Sequence, residues 1–285
     1  MKFLSPSWLS PLVRFIRRRP LGAAGGIIIL VMLLAAALAN VIAPHDPLAT
    51  NYTAFFKPPS PEFWLGTDGF GRDAFSRLLY GARTALLVGF SASFIGASIG
   101  VVIGVTSAYF GGNVDLLIER VMDIFLSFPI IILALAIVAV LGGGIVNLIF
   151  AITIPFIPRT ARVIRASALV IRQMPYVDAA RSIGSPDARI IFRHILPNVM
   201  APFLVMLTAF QGQAILLEAS LSFLGLGVTE PTPAWGLMLR GAAVTFAERA
   251  PWMGFFPGFA ISLSVFAFNL LGDSLRDALD PRLRL

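Results

Sequence analysis

Residues 177–198, VDAARSIGSPDARIIFRHILPN, decide the fold of this chain. They form the most polar long run in a sequence that is otherwise apolar, and the tripeptide Gly-Ser-Pro divides them into two segments with helical patterning. The first segment, 176–183, carries Asp178 in its first turn, where a carboxylate interacts favourably with the helix dipole. Gly184 is placed to end this helix in the left-handed conformation that glycine adopts easily.

The second segment, 186–196, is predicted to be an amphipathic helix. Ser185 is expected to cap it, with Pro186 at the first helical position. The apolar side of the helix carries Ile190, Ile191, Ile195 and Leu196, and another side carries Arg189 and Arg193. The sequence thus predicts two helices joined by a tight glycine corner.

Two functions fit this polar insert. Ala179 and Ala180 give its first helix a face of small side chains beside Asp178. Such a face is suited to docking into a groove of a soluble partner. Alternatively, the arginines hold the insert on the surface of anionic lipid as an amphipathic linker.

The composition indicates that lipid is the main solvent of the chain. Of its 285 residues, 57% are hydrophobic and only 13% are charged, whereas a soluble domain usually has about 25% charged residues. The mean hydropathy is +0.85. A soluble protein with a very hydrophobic core is the alternative, and the low charge disfavours it. The chain contains no cysteine, so disulfides and thiolate metal sites are excluded.

Six apolar segments approach or exceed the roughly 20 residues that a helix needs to cross a bilayer. They are 21–43, 84–108, 121–141, 145–158 extended through Arg159, 199–221 and 253–271. Pro155 and Pro158 predict a kink in the fourth segment. The first segment is longer than the apolar region of a signal peptide, about 7–15 residues, so we interpret it as a retained helix. We therefore predict an all-α polytopic membrane protein with six transmembrane helices.

The distribution of basic residues predicts the orientation. With a cytoplasmic N-terminus, 16 of the 22 lysines and arginines lie on the cytoplasmic side and 6 lie outside, as the positive-inside rule requires. This asymmetry accounts for the net charge of +7 without a nucleic-acid partner. The predicted parts are a cytoplasmic segment at 1–20, the first span at 21–43, an external segment of short helices and loops at 44–83, a core of five spans at 84–274 that includes the insert at 172–197, and a cytoplasmic tail at 275–285.

Two features inside the spans suggest packing or gating. Gly96, Gly100 and Gly104 form two successive G-x-x-x-G steps, which favour the close approach of another helix over chance occurrence in a glycine-rich chain. Glu218 lies in the fifth span, where a carboxylate is costly and often functional. It is interpreted either as a gate or packing contact that faces the bundle interior, or as a residue that reaches water at the outer interface.

The sequence disfavours catalysis. The nucleotide-binding pattern G-x-x-x-x-G-K-[ST] is absent, because Lys2 and Lys57 are the only lysines. His45 and His194 are predicted on opposite sides of the membrane, which excludes a Ser-His pair, and the zinc pattern H-E-x-x-H is missing. Asp123 and Glu218 lie near opposite ends of their spans. We expect no catalytic residue, no metal site and no cofactor in this chain.

The polar insert resembles the Glu-Ala-Ala loop of ATP-binding-cassette importer permeases. In that pattern Glu-Ala-Ala is followed after three residues by Gly, and after nine more by I-x-L-P. Here Asp178-Ala179-Ala180 precedes Gly184 at this spacing, and Leu196-Pro197 stands at the expected end. The sequence departs from the pattern with Asp for Glu and with His194 where Ile is usual.

Three further stretches are similar to C-type subunits of the dipeptide, oligopeptide and nickel permease subfamily. They are GTDGFGRDAFSRLLYGAR at 66–83, EASLSFLGLG at 218–227 and GDSLRDALDPRL at 272–283. The resemblance runs from about residue 14 to the end. It implies the type I importer permease fold in a bacterial cytoplasmic (inner) membrane, with both termini cytoplasmic.

The resemblance also implies partners and a mechanism. The family forms a heterodimer of two homologous permeases, with two ATP-binding subunits inside and a solute-binding protein outside. It implies that Asp178, Ala179, Ala180 and Gly184 form a coupling helix that inserts into an ATPase subunit, with Leu196 and Pro197 as the structural end of the motif. ATP and Mg are then bound by the partners, which drive alternating access.

The resemblance leaves the substrate and its contact residues open. Dipeptides and oligopeptides are expected, and relatives also import nickel chelates, glutathione and sugar conjugates. The alternative function is a self-contained secondary transporter or channel. That function requires an intramembrane charge network or helices broken at the midplane, for which only Glu218 and Asp123 are available.

Overall fold

The structure is a computed structural model that describes residues 16, 19–245 and 250–279. These residues are mostly helical, and their only β-type pairing is an isolated bridge between Thr67 and Asp73. The α-helices are α1 (Pro20–Ala37), α2 (Ala39–Ile42), α3 (Ala74–Phe110), α4 (Gly112–Leu126), α5 (Ile130–Leu141), α6 (Ile145–Arg172), α7 (Pro175–Ser182), α8 (Asp187–Ile190), α9 (Met200–Phe223), α10 (Trp235–Thr245) and α11 (Trp252–Leu279). A π-helical turn (Ile191–Ile195) and a 3₁₀ turn (Leu196–Val199) join α8 to α9.

The described helices confirm the prediction of an all-α membrane protein. Four single helices and one continuous helical run, 187–223, are long and apolar enough to cross a membrane. The α4–α5 pair makes a sixth span if it is counted as one. α1 belongs to the bundle, because it packs against α11. A methyl group on Gly25 would lie 2.6 Å from the carbonyl oxygen of Ala267.

The prediction of one continuous third span at 121–141 is wrong. α4 and α5 are bent by 88° across residues 127–129. Pro129 precedes α5 with an extended ψ of 134°. A proline disfavours a helical conformation in the residue before it and lacks the N–H that a continuous helix requires, so the apolar run divides here.

The second span begins earlier than predicted. Asp73 caps α3 by accepting a hydrogen bond from the Ser76 backbone N–H at 2.8 Å. The last ten residues of the predicted external segment are therefore the first turns of α3. At the other end of the core, α6 continues through Pro155 and Pro158 as far as Arg172, well beyond the predicted span.

The glycine stripe of α3 lies against α6. A methyl group added to Gly100 would lie 2.5 Å from Thr160 Cβ, and one added to Gly104 would lie 2.5 Å from the carbonyl oxygen of Ala161. Gly96 approaches Phe156 in the same way, at 2.9 Å from its Cβ. The two helix backbones are thus closer than any side chain on the stripe would allow.

Candidate functional site

The first half of the polar insert is α7, which is anchored on one side and open on the other. Pro175 occupies its first position, after Met174 in an extended conformation. Val177 is fully buried and Ala180 nearly so, and both pack into a cluster that α3 and α6 contribute to. Asp178 and Ala179 are exposed. The helix is therefore held by its apolar side and presents its acidic first turn outward.

The corner after α7 is a Schellman motif. Gly184 has a φ of 76°, and its N–H donates to the Arg181 carbonyl at 2.9 Å. The Ser185 N–H donates to the Ala180 carbonyl at 3.1 Å, which completes the pair of bonds that ends a helix in this way. A methyl group on Gly184 would meet no other atom of the described chain within 4 Å. The corner is thus sharp, conformationally restricted to glycine, and sterically open.

The second half of the insert is not the single α-helix predicted at 186–196. α8 lasts only one turn, and the chain then widens into the π turn and tightens into the 3₁₀ turn that contains Leu196 and Pro197. Ser185 does not cap it, because Pro186 occupies the cap position and no side chain accepts there. Pro197 has no N–H to continue an α-helical ladder, which accounts for the irregular passage into α9.

Hydrogen bonds tie the insert to the end of α3. The Tyr109 hydroxyl donates to Asp187 at 2.5 Å, and the Arg181 guanidinium lies 5.5 Å from the centre of the Tyr109 ring. Arg172, at the end of α6, donates to the Ala108 carbonyl at 3.0 Å. The insert therefore contacts α3 through Asp187 of α8 and Arg181 of α7, and Arg172 joins α6 to the same end of α3. The sequence patterns did not reveal this role of Tyr109, because its partners are more than 70 residues away.

His194 is half-buried and lies between the two halves of the insert. Its ring is 5.9 Å from the Tyr176 ring, and Asn198 donates both to the His194 carbonyl at 2.7 Å and to the Tyr176 hydroxyl at 3.3 Å. The unusual histidine of the motif thus helps to close the second half of the insert onto the first.

Comparison with known families agrees with this geometry. Residues 100–285 match the family described as the binding-protein-dependent transport system inner membrane component. Residues 10–59 match a second family, the N-terminal transmembrane domain of oligopeptide transport permease C. The chain belongs to the binding-protein-dependent transport permeases. It is accordingly a multi-pass membrane permease component of an ATP-binding-cassette importer.

Curated relatives of the permease carry related names. A putative peptide transport system permease protein of Brucella suis biovar 1 is 46% identical over 95% of this chain and 91% of its own length. A dipeptide transport system permease protein of Alkalihalophilus pseudofirmus is 44% identical over 94% and 88%. A glutathione transport system permease protein of Shigella flexneri serotype 5b is 47% identical over 95% and 89%.

The fold of the permease is that of a solved importer. A chain of the MetNI methionine ABC transporter in an inward-facing conformation matches 71% of this chain and 96% of its own length, with a TM-score of 0.58. The sequence identity is 19%, so the likeness establishes the architecture. It confirms the predicted type I importer permease fold.

Glu218 of the permease lies in the bundle interior. Its side chain is fully buried in α9, and its Oε1 accepts a hydrogen bond from the Ser222 hydroxyl at 2.9 Å. Ser222 Oγ in turn accepts from the Val228 N–H at 3.1 Å, so the pair holds the chain as it leaves α9. This geometry favours the interior interpretation over contact with outer water, and a gating role stays a prediction.

Residues around the start of α3 form a partly buried ion cluster that sequence spacing could not reveal. Arg77 is 1% exposed and lies 3.6 Å from both Asp68 and Glu230. Arg72 donates to Asp68 at 2.7 Å and to Glu230 at 2.9 Å. Burial lowers the pKa of Arg72, but these two carboxylates outweigh burial and raise it above its ordinary value. The cluster joins residues 44–73 to the start of α3 and to the loop before α10.

Proposed function

We propose that this permease is one half of a peptide importer and that α7 is its contact with an ATPase. The single observation that supports this role is the shape of the insert. α7 is anchored through Val177 and Ala180, while Asp178, Ala179 and the open corner at Gly184 face away from the chain. A helix end built in this way is suited to entering a groove in a soluble subunit.

The remaining subunits follow from the same proposal. A second homologous permease completes the pathway, two ATP-binding subunits bind ATP and Mg and hydrolyse the nucleotide, and an external binding protein delivers the solute. The permease itself supplies no catalytic group. Both of its termini lie in the cytoplasm, on the side of α7, as the excess of arginine in those segments requires.

The transport cycle is alternating access. Closure of the ATP-binding subunits displaces the docked α7. The contacts of Tyr109 with Arg181 of α7 and Asp187 of α8 pass that displacement to α3, which Arg172 joins to α6. Because α3 and α6 are packed backbone to backbone at Gly100, they move together as one unit. The pathway then opens outward, accepts solute, and returns to the inward-facing state after hydrolysis.

Peptides are the proposed substrate class. The relatives named above are permeases for peptides, for dipeptides and for glutathione, and each is 44–47% identical to this chain. These solutes share an amide backbone with an ammonium group and carboxylates. We assign the finer selectivity to the external binding protein.

A secondary transporter is the second candidate function, and one observation favours it. The α4–α5 break is a discontinuous span of the kind found in such transporters. An ATP-driven importer is preferred because the family is that of binding-protein-dependent systems. Uptake that continues without the ATP-binding subunits would decide for the secondary transporter.

The substitution Gly184→Trp tests the coupling role. A Cβ at this corner meets no atom of the described chain within 4 Å, so the indole is expected to extend outward and obstruct a docked partner. We expect membrane insertion to be intact and ATP-dependent dipeptide uptake by the reconstituted complex to be abolished. Gly184→Ala is the matched control, since it introduces the same left-handed strain, about 1–2 kcal/mol, without the bulk. Normal uptake with Gly184→Trp would show that the coupling assignment is wrong.

A further inference from the structure

The break between α4 and α5 interrupts an apolar run that reaches the length of a span only if the two helices are counted together. α5 has 12 residues and is therefore about 18 Å long, whereas the hydrocarbon core is about 30 Å thick. Only residues 142–144 separate α5 from α6, so the two helices form a hairpin. With its turn at one membrane face, and with α4 turned away by 88°, the chain leaves the helical conformation about 12 Å short of the opposite face.

The backbone at this break is open on the described chain. Ser127, Phe128 and Pro129 are all exposed. Ser127 and Phe128 donate hydrogen bonds to the carbonyls of residues 123–125. The carbonyls of residues 126–128 accept none from the described chain, and lipid offers no hydrogen bonds to them. Irregular backbone at membrane depth is tolerated only where it is buried in protein or lines a water-filled cavity. The break therefore faces another subunit or water, and not lipid.

A half-exposed ion pair lies beside the break. Arg162 of α6 donates a hydrogen bond to Asp123 of α4, and their side chains are 49% and 51% exposed. Asp123 belongs to the turn that ends at the break, since its carbonyl accepts from the Ser127 N–H at 3.0 Å. Arg162 stands 17 residues after the start of α6, about 26 Å along the helix, and therefore lies near the end of the span that leads into the insert.

Charge at this depth requires a polar environment. A charged side chain at the bilayer centre costs about 2.5–3.5 kcal/mol on insertion scales, whereas an arginine near a helix end can reach the interface. The neighbouring pair, Arg165 with Asp115, is more enclosed, at 26% and 21% exposure, with two bonds of 2.6 Å. The Asp123–Arg162 pair, in contrast, keeps about half of each side chain exposed. If a second permease covered the pair completely, the exposed halves of both charged groups would lose their solvent. Water or a polar solute would instead form hydrogen bonds with them.

We propose that the break at 127–129 and the Asp123–Arg162 pair line the water-filled translocation pathway and bind the two charged ends of a zwitterionic solute. Asp123 takes an ammonium group and Arg162 takes a carboxylate, each as a charge-assisted hydrogen bond. The inference rests on the proposed function, because it requires a solute pathway along this permease. It adds to that function a place for the solute and a recognised chemistry.

Thiol labelling tests exposure to water. The chain contains no cysteine, so a single cysteine replacement is the only thiol that the reagent can label in it. In the complete complex in proteoliposomes, a charged, membrane-impermeant methanethiosulfonate reagent is expected to label Ser127→Cys. Ile132→Cys, 53% exposed one turn into α5, is expected to stay unlabelled until the complex is denatured. If Ser127→Cys is labelled only after denaturation, or no faster than Ile132→Cys, the pathway assignment fails.

Exchange of the two charges tests solute binding. The double variant Asp123→Arg with Arg162→Asp keeps an ion pair but reverses its direction. We expect uptake of radiolabelled dialanine to fall at least tenfold while complex assembly and ATP hydrolysis are retained. If the double variant takes up dialanine as fast as the unmodified complex does, the pair has only a structural role. If the unmodified complex shows no ATP-dependent uptake, the proposed function fails, while the labelling result still decides whether the break faces water.

Discussion

Single glycines set the spacing of the central helices. At Gly100 a methyl group would lie 2.5 Å from Thr160 Cβ and 2.9 Å from the Ile157 carbonyl oxygen. The stripe was visible in the sequence as repeated G-x-x-x-G, but its partner helix was not, because α6 shows no matching pattern of small residues. Arg77 and Glu230 were not predictable, since 153 positions separate the two members of the pair.

The substitution Gly100→Ala tests this packing. Overpacking of a tight interface costs about 1–3 kcal/mol, because α6 would have to move away from α3. We expect a lower thermal unfolding midpoint for the purified complex. Gly258→Ala is the control, since its methyl group would make an ordinary contact of 3.7 Å with Leu239. An unchanged midpoint for Gly100→Ala would contradict the close approach of the two helices.

At the scale of elements, features that depend on neighbouring residues were predicted better than features that depend on contacts between distant parts of the chain. The end of α7 followed from Gly184 alone, because a left-handed helix end is a local property. The α4–α5 break had a local signal as well, Pro129 within an apolar run, but the hydropathy of 121–141 concealed it. The π turn after α8 had no signal, since its geometry depends on burying Ile190 and Ile195 under α6.

The link between the insert and α3 predicts a coupling defect at Tyr109. Tyr109→Phe removes the bond to Asp187, and bonds to charged groups contribute about 1.5–3 kcal/mol. We expect fewer solute molecules imported per ATP hydrolysed, with hydrolysis itself maintained. Tyr176→Phe is the control, because its hydroxyl only receives a 3.3 Å bond within the insert. An unchanged transport ratio in Tyr109→Phe would mean that the displacement travels by another route.

At the scale of the whole molecule, the fold and family could be predicted because their signals are distributed along the chain. Hydropathy identified the spans, and the spacing of Asp178, Gly184 and Pro197 identified the family. Substrate and partners could not be derived in the same way, since the chemistry that binds ATP and captures solute is expected in other chains. In the proposed function this chain contributes a lever, α7, within an insert that contacts a tightly packed pair of helices.

Site-specific cross-linking of α7 to an ATP-binding subunit tests the central claim most directly. Ala179 is exposed and Ala180 is 7% exposed against the chain's own core, so the two positions form a matched pair. In the cysteine-free background, Ala179→Cys is expected to cross-link to a single cysteine in the groove of the ATP-binding subunit, and Ala180→Cys is not. Cross-linking of Ala179→Cys only to lipid-phase probes, with none to the ATP-binding subunit, would contradict the account and favour a linker on the membrane surface.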